Sequence, residues 1–357
     1  MKSKNKIFLF VLLLVSLLYS IKNEIFVVRA KDNYSKDFSS SCAEIVIDAY
    51  SKRILFQNNI NEKKYMASTT KILTAITVIE NSNLNTVITV GKDTTGIEGS
   101  SIYLVEGENL TVKDLLYGLM LRSGNDCAET LAKHVSGSNK EFAKLMNLTA
   151  KKIGAKNSNF VNPHGLHDDA HYTTAYDLAL ISAYAIKNPD FLEIVSTKKI
   201  KIPYNNEQKR VLINKNKMLS QFEGATGIKT GFTKKAGRCL VSSANRNDLE
   251  LISVVLNCPP MFERSKQILE NCYNLYKPYK LIESDYIIDF IESERGTVPI
   301  HVKEDIVLPL TENEYKNLNI VYNYPKEITD FSDSEFGKIE IYVKNNLIFT
   351  EKIYTIL

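Results

Sequence analysis

Several things are missing from this chain, and each absence removes a class of function. No C-x-x-C pair occurs in its 357 residues, and its five cysteines (Cys42, Cys127, Cys239, Cys258 and Cys272) are scattered and odd in number. Neither a zinc site nor a disulfide framework follows from that spacing. The thiols read as small buried hydrophobes, although oxidation could pair two of them in an exported chain. No long Lys/Arg block or aromatic-interleaved basic stripe is present and the net charge is only +4, so nothing offers nucleic acid an electrostatic footprint. Internal repeats and low-complexity segments are lacking too. The longest mainly apolar stretch, Ile7 to Leu18, has 12 residues with Ser16 among them, short of the roughly 20 that a membrane-spanning helix needs.

That stretch follows Lys2, Lys4 and Lys6 and leads through small and polar residues to Val28-Arg29-Ala30, the pattern of an export signal. Residues 1–30 are therefore expected to be a cleaved signal peptide. The mature protein is expected outside the cytoplasm: secreted, in the cell wall, or at the outer face of the membrane. An uncleaved anchor is the alternative, since Ile25 to Val28 would lengthen the apolar stretch. At 44% apolar and 24% charged residues, the composition is that of a globular protein with room for one large domain and a smaller one.

Periodicity fills in the plan. Glu44 to Asp48 and Arg53 to Phe56 predict a hairpin, and apolar residues at 72, 73, 76 and 79 predict a helix opened by Ser68. From Leu110 to Ile186, helical patterns over 112–121, 127–134, 140–153 and 175–186 alternate with polar loops and predict a helical lobe. Thr174 and Asp177 have the spacing of a capping box. Strand patterns return at Thr197 to Val211, Arg238 to Ala244 and Leu249 to Leu256, the last two joined by a turn. A helix over 263–276 then stops at Lys277-Pro278. Short β-rich runs follow, so the domain plan is a catalytic domain over 31–281 and a small all-β domain over 282–357.

Three short elements stand in this order: Ser68-Thr-Thr-Lys71, Ser123-Gly-Asn125 and Lys229-Thr-Gly231. Each alone is common by chance, and its plain reading is a helix cap, a polar turn or a strand end. Together they form a set, one at a helix start, one in a loop of the helical lobe and one before a pair of strands. Ser68 and Lys71 are three apart on a helix, so they share a face and the amine reaches the hydroxyl. Lysine works as a base only where its surroundings keep it neutral, which at pH 7 takes about 4.6 kcal/mol against a free pKa of about 10.4. Burial and a nearby cation act in that direction, and Lys229 is the candidate cation.

This set resembles the signature of the penicillin-recognising serine hydrolases, in the Ser-Gly-Asn form of the low-molecular-mass penicillin-binding proteins of the D,D-carboxypeptidase type. Phe160 to Leu166, His171 to Leu178, Ala236 to Leu240 and Leu251 to Val255 are similar to that family as well. The likeness covers roughly residues 43–277 and, more weakly, the β-rich tail. It implies an α/β (α+β) fold: a β-lactamase/penicillin-binding transpeptidase-like catalytic domain, with an antiparallel sheet and a helical lobe, followed by a small all-β domain.

The resemblance further implies a serine-type D-alanyl-D-alanine carboxypeptidase. It would act through a Ser68 acyl-enzyme on peptidoglycan stem peptides ending in D-Ala-D-Ala, and be acylated by β-lactams. Lys71 would be the base, Ser123 the relay of a proton to the leaving D-alanine, and Asn125 the holder of the substrate amide. Lys229, Thr230 and Gly231 would lie on an edge strand where an extended peptide pairs. The N–H groups of Ser68 and Phe232 would form the oxyanion hole. Gap-free counting through Ala236-Gly237 and Leu251-Ile252-Ser253 places the carboxylate-binding arginine at Arg264. No cofactor, metal or nucleic-acid partner is implied. The histidines His164, His167 and His171 suggest zinc, but their spacing is loop-like and falls inside a segment the family shares. A D,D-endopeptidase and a catalytically silent penicillin-sensing or wall-binding module are the alternatives. No Glu-x-x-Leu-Asn precedes Asn162-Pro163, so slow release of penicillin is expected rather than β-lactamase activity. The C-terminal residues read as a strand without an amphipathic tail helix, which favours a soluble or wall-associated protein over peripheral membrane attachment.

Overall fold

Ala43 to Asp48 is buried at every residue, so its strand must be covered on both faces of its two-residue alternation. In the computed structural model, which describes residues 41–204, 208–284, 286–294, 296–328 and 335–355, this strand (β1, Ala43–Asp48) lies inside a five-stranded antiparallel sheet. The expected signal peptide lies outside the described residues. β1 turns into β2 (Ile54–Asn58), and a 3-10 turn, Ala67–Thr70, leads to α1 (Lys71–Asn81). Ser68 thus sits in the 3-10 turn ahead of the α-helix, one step earlier than the periodicity suggests. Lys71 through Val78 are all buried, because α1 threads the core instead of lying on it.

Strands β3 (Val87–Thr89) and β4 (Asn109–Thr111) pair, and five helices follow: α2 (Val112–Leu121), α3 (Asn125–Ser136), α4 (Asn139–Ile153), α5 (Ala175–Ala185) and α6 (Pro189–Ser196). Their ends are set locally. Thr111 and Asp114 close a capping box on α2, Ser138 caps α4, and left-handed Gly137 and Gly154 end α3 and α4. Helix α6 escaped the sequence reading; Asn188 caps it and Pro189 occupies its first turn. At α5 the cap is only half a box. Thr174 Oγ1 accepts from Asp177 N at 3.0 Å, but the Asp177 carboxylate accepts from Asn157 N and Ser158 Oγ and so fastens a neighbouring loop.

The stretch of strand pattern after Thr197 forms two paired strands, β5 (Lys199–Tyr204) and β6 (Gln208–Ile213). Short α7 (Met218–Gln221) precedes β7 (Ala225–Thr233), β8 (Gly237–Arg246), β9 (Leu249–Leu256) and α8 (Met261–Leu275). The sheet order is β2-β1-β9-β8-β7, which leaves β7 at an edge. One face packs on the helical lobe through Ile45, Ile47, Ile252 and Val254, and the other on α8 through Val46, Leu251, Val255 and Ile268.

The tail holds β10 (Lys277–Ile282), β11 (Asp289–Ser293), β12 (Val298–His301), β13 (Ile306–Leu310), α9 (Glu312–Lys316), β14 (Leu318–Asn323), β15 (Glu327–Ile328), β16 (Glu335–Val343) and β17 (Asn346–Thr355). Its own core contains Ile300, Ile306, Leu308, Ile339 and Ile353. Arg53, in the turn between β1 and β2, donates to Pro309 O and to the Glu314 carboxylate, joining the tail to the first hairpin. No helix among the described residues is long and apolar enough to cross a membrane.

Candidate active site

Ser68 is positioned by strain on one side and close packing on the other. Ala67, just before it, holds φ at 49°, a left-handed conformation unusual for a residue with a side chain. The β7 edge strand passes directly alongside. A Cβ at Gly231 would lie 3.0 Å from Met66 O and 3.2 Å from Ser68 N, so any larger residue would push the strand and the Ser68 turn apart by a few tenths of an ångström. Gly165 meets the same turn from the helical lobe: a Cβ there would lie 1.9 Å from Ala67 O.

One helical turn on, Lys71 is fully buried. Its Nζ lies 3.2 Å from Ser68 Oγ and donates to Asn125 Oδ1 and His164 O, both at 2.7 Å. Asn125 is held in that orientation because its Nδ2 donates to Glu98 O at 2.6 Å. A neutral amine has two N–H groups and one lone pair. Two obligatory acceptors take the N–H groups, and the lone pair is left facing Ser68 Oγ. Burial above all, and then the Lys229 and Lys215 cations, hold the Lys71 pKa well below the ordinary 10.5. Lys229 is itself buried, and burial together with Lys215 pushes it down to about 7.

Ser123 occupies the turn between α2 and α3 with φ at 65°. Its hydroxyl is buried and has no hydrogen-bond partner among the described residues. Thr230 and Phe232 follow along the edge strand. Phe232 is 53% exposed, and the Arg238 guanidinium lies over its ring at 4.5 Å.

Residues 30–259 match the D-alanyl-D-alanine carboxypeptidase family, and residues 276–356 match the C-terminal domain of penicillin-binding protein 5. The chain belongs to the D-alanyl-D-alanine carboxypeptidase family. It is 31% identical over 260 residues to D-alanyl-D-alanine carboxypeptidase DacF of Bacillus subtilis (strain 168), covering 71% of this chain and 67% of that one. With D-alanyl-D-alanine carboxypeptidase DacC of Escherichia coli (strain K12) it shares 35% over 259 residues, 68% of this chain and 64% of the other. The fold is that of penicillin binding protein 5 from Haemophilus influenzae, with a TM-score of 0.75 and 27% identity over 88% of this chain and 96% of that one. The family, the fold class and the serine-peptidase class are those the three motifs implied.

Not every residue expected at this D-alanyl carboxypeptidase site is there. The structure joins Ser68, Lys71 and Asn125 by hydrogen bonds, sets Gly231 against the Ser68 turn, brings the Lys229 charge near Lys71, places Ser123 two residues before Asn125, and takes Arg264 away. Arg264 is buried on the α8 side of the sheet, where Nε donates to Glu44 Oε1 at 2.6 Å, Nη2 to Glu44 Oε2 at 3.1 Å and Nη1 to Gln267 Oε1 at 2.8 Å. Glu44 lies on β1, three strands from β7 and so roughly 14 Å across the sheet. A guanidinium whose fork is already closed on a buried carboxylate is not offered to a substrate, and the assignment of Arg264 to carboxylate binding is corrected accordingly.

The histidines do not converge on one point. The Nε2 of His164 pairs with Glu129 at 3.1 Å, that of His171 with Thr70 Oγ1 at 2.8 Å, and that of His167 with Asp169 at 3.4 Å. Sequence reasoning missed Lys215, which sits in a turn without a motif. Its Nζ reaches Ser100 Oγ at 3.2 Å, and its charge lowers both site lysines. It also missed the structural use of His164, whose carbonyl grips Lys71 while its ring is pinned by Glu129 from α3.

Proposed function

We propose that this chain is a serine-type carboxypeptidase that removes the terminal D-alanine from stem peptides ending in D-Ala-D-Ala, with Ser68 as nucleophile. One observation carries the reading: the buried Lys71 amine faces Ser68 Oγ while its N–H groups are held by two neutral oxygens. Ser68 Oγ attacks the carbonyl carbon of the penultimate D-alanine as its proton passes to Lys71 Nζ. The oxyanion is met by the N–H groups of Ser68 and Phe232. Ser123 relays the proton held on Lys71 to the departing D-alanine nitrogen as the C–N bond breaks, and Lys71, neutral again, takes a proton from the water that releases the shortened peptide from Ser68. A penicillin carbonyl enters by the same attack, but its leaving group stays tethered, so a covalent adduct results.

With Arg264 removed from the site, Lys215, Lys229 and Thr230 are the groups suited to the free α-carboxylate of the last residue. The site of action is outside the cytoplasm, as the basic and apolar first residues suggest, at the wall or the membrane surface. Intact mass spectrometry tests the reading. Incubation with penicillin should add one penicilloyl mass on Ser68, and incubation with N-acetylated Lys-D-Ala-D-Ala should release free D-alanine. A protein that binds penicillin without a mass shift would instead be a silent sensing module. Release only from crosslinked muropeptide would make it an endopeptidase.

A further inference from the structure

On the face of the sheet away from the cleft, two cysteines meet. The β1–β9 ladder ends at the pair Ala43 and Leu256. Simple alternation would send Cys258 to the helical-lobe face with Val254 and Leu256. Asn257 breaks the alternation with a left-handed φ of 52°, which turns Cys258 into the α8-side core beside Cys42. That step is fixed: Asn257 Nδ2 donates to Ser41 Oγ at 3.0 Å, and Cys258 N donates to Arg238 O at 2.9 Å.

The sulfurs of Cys42 and Cys258 and a carboxylate oxygen of Glu44 all lie within 4.8 Å of one another. Cys258 Sγ donates to Glu44 Oε1 at 3.4 Å and Cys42 Sγ to Asn257 O at 3.5 Å. Two thiols and a carboxylate are metal-ligand types, but both Glu44 oxygens already accept from Arg264, and a divalent cation would have to displace that guanidinium. What remains is thiol chemistry. The fold itself brings the two sulfurs to within reach of each other.

We propose that Cys42 and Cys258 are a disulfide-forming pair, closed by exchange with a low-molecular-weight disulfide. One of the two cysteines, as thiolate, attacks the disulfide RSSR, forming a mixed disulfide and releasing one thiol RSH. The other cysteine then attacks the protein sulfur of that mixed disulfide and releases the second. Two protein thiols are oxidised, one RSSR is reduced to two RSH, and no other electron acceptor is needed. Both sulfurs are fully buried in the folded chain, so exchange precedes the docking of β1 on β9 during folding. The bond would clasp the start of β1 to the turn before α8 and enclose all three catalytic motifs in one covalent loop, which restricts the unfolded chain far more than the folded one. Its occurrence in the cell rests on the export reading; closure in vitro does not.

The full chain, refolded in a glutathione disulfide buffer and then denatured and alkylated, should show its five reactive thiols reduced to three. A tryptic map should contain a Cys42–Cys258 crosslinked peptide that is absent from Cys42→Ala and Cys258→Ala. The oxidised form should melt about 5–10 °C above the dithiothreitol-treated form, with that gap absent in either variant. Five alkylated thiols after oxidative refolding, or a crosslink between any other pair, would overturn the proposal, whatever the enzyme does to penicillin.

Discussion

Two of the basic side chains buried against the same sheet, Lys71 and Arg264, are resolved in opposite ways. Lys71 has three neutral oxygens around it, the hydroxyl of Ser68, the amide oxygen of Asn125 and the carbonyl of His164. Arg264 has both oxygens of a buried carboxylate. Leaving a charge dry and unpaired is costly in either place. Lysine escapes that cost by giving up its proton, whereas arginine keeps its charge at any ordinary pH and must be given a partner. A buried lysine among neutral acceptors is therefore a base in waiting, and a buried arginine clasped by glutamate is a strut. The charge of the partner, more than the position in a motif, separates chemistry from scaffolding.

The comparison breaks most completely at Ser68. Ser68→Ala should abolish penicilloyl labelling and D-alanine release together, and a variant that still gains the penicilloyl mass would move the nucleophile elsewhere. Lys71→Ala should slow acylation by about 10² or more. Lys71→Arg is the sharper test, because it keeps the cation but cannot surrender a proton, so it should be as slow as the alanine variant. The pH dependence follows from the same asymmetry. Only neutral Lys71 accepts the Ser68 proton, so labelling should fall as pH drops through the Lys71 pKa, and that midpoint should lie well below 10.5. A midpoint at 10 or above would mean that the burial and the neighbouring cations do not tune the amine.

Arg264→Ala should damage stability and spare specificity. It leaves Glu44 buried without its partner, at a cost of about 3–5 kcal/mol, while labelling per folded molecule and the preference for a free-ended over an amidated peptide stay unchanged. Lys215→Ala should do the reverse. Its loss should lower kcat/KM for the free-ended peptide by roughly fivefold, or about 1 kcal/mol for a half-exposed charge, with a smaller loss on the amidated peptide as the two site lysines hold their protons more tightly, and little effect on the melting temperature. If Arg264→Ala removed the free-end preference, the strut reading would fail.

Much of this was legible in the chain. The three motifs carried the family and the fold, because each couples a reactive side chain to a local geometry, a helix start, a tight turn and an edge strand. The first hairpin was legible from Glu44 to Asp48 and Arg53 to Phe56, but the burial of both faces of β1 was not. Arg264 was misplaced because a count along the strands fixes its distance in sequence but not the face from which α8 approaches, and its partner Glu44 lies 220 positions earlier. Lys215 left no signal, since its role depends on long-range proximity to two other lysines. The left-handed step at Asn257 was equally hidden: without it, Cys258 points to the other face and no pair forms.

A part-buried cation, Arg53, lies between these extremes and gives the smallest effect. It sits in the first hairpin turn, with its side chain 12% exposed and that of its partner Glu314 16% exposed. One arm donates to Pro309 O and the other to Glu314, while its guanidinium lies 5.6 Å from the centre of the Tyr276 ring. Glu314 is also tied into its own helix, accepting from Thr311 N at 2.9 Å, so its carboxylate keeps a partner when the arginine is removed. Arg53→Ala should therefore cost about 1–2 kcal/mol, less than Arg264→Ala, because water reaches the vacated carboxylate. It should lower the melting temperature by a few degrees and leave the penicillin labelling rate untouched, since Arg53 contacts none of the site residues. Arg53→Lys should recover part of the loss, keeping the charge but not the two-armed grip. A slower labelling rate at an unchanged melting temperature would show instead that the tail acts on the active site through this hairpin.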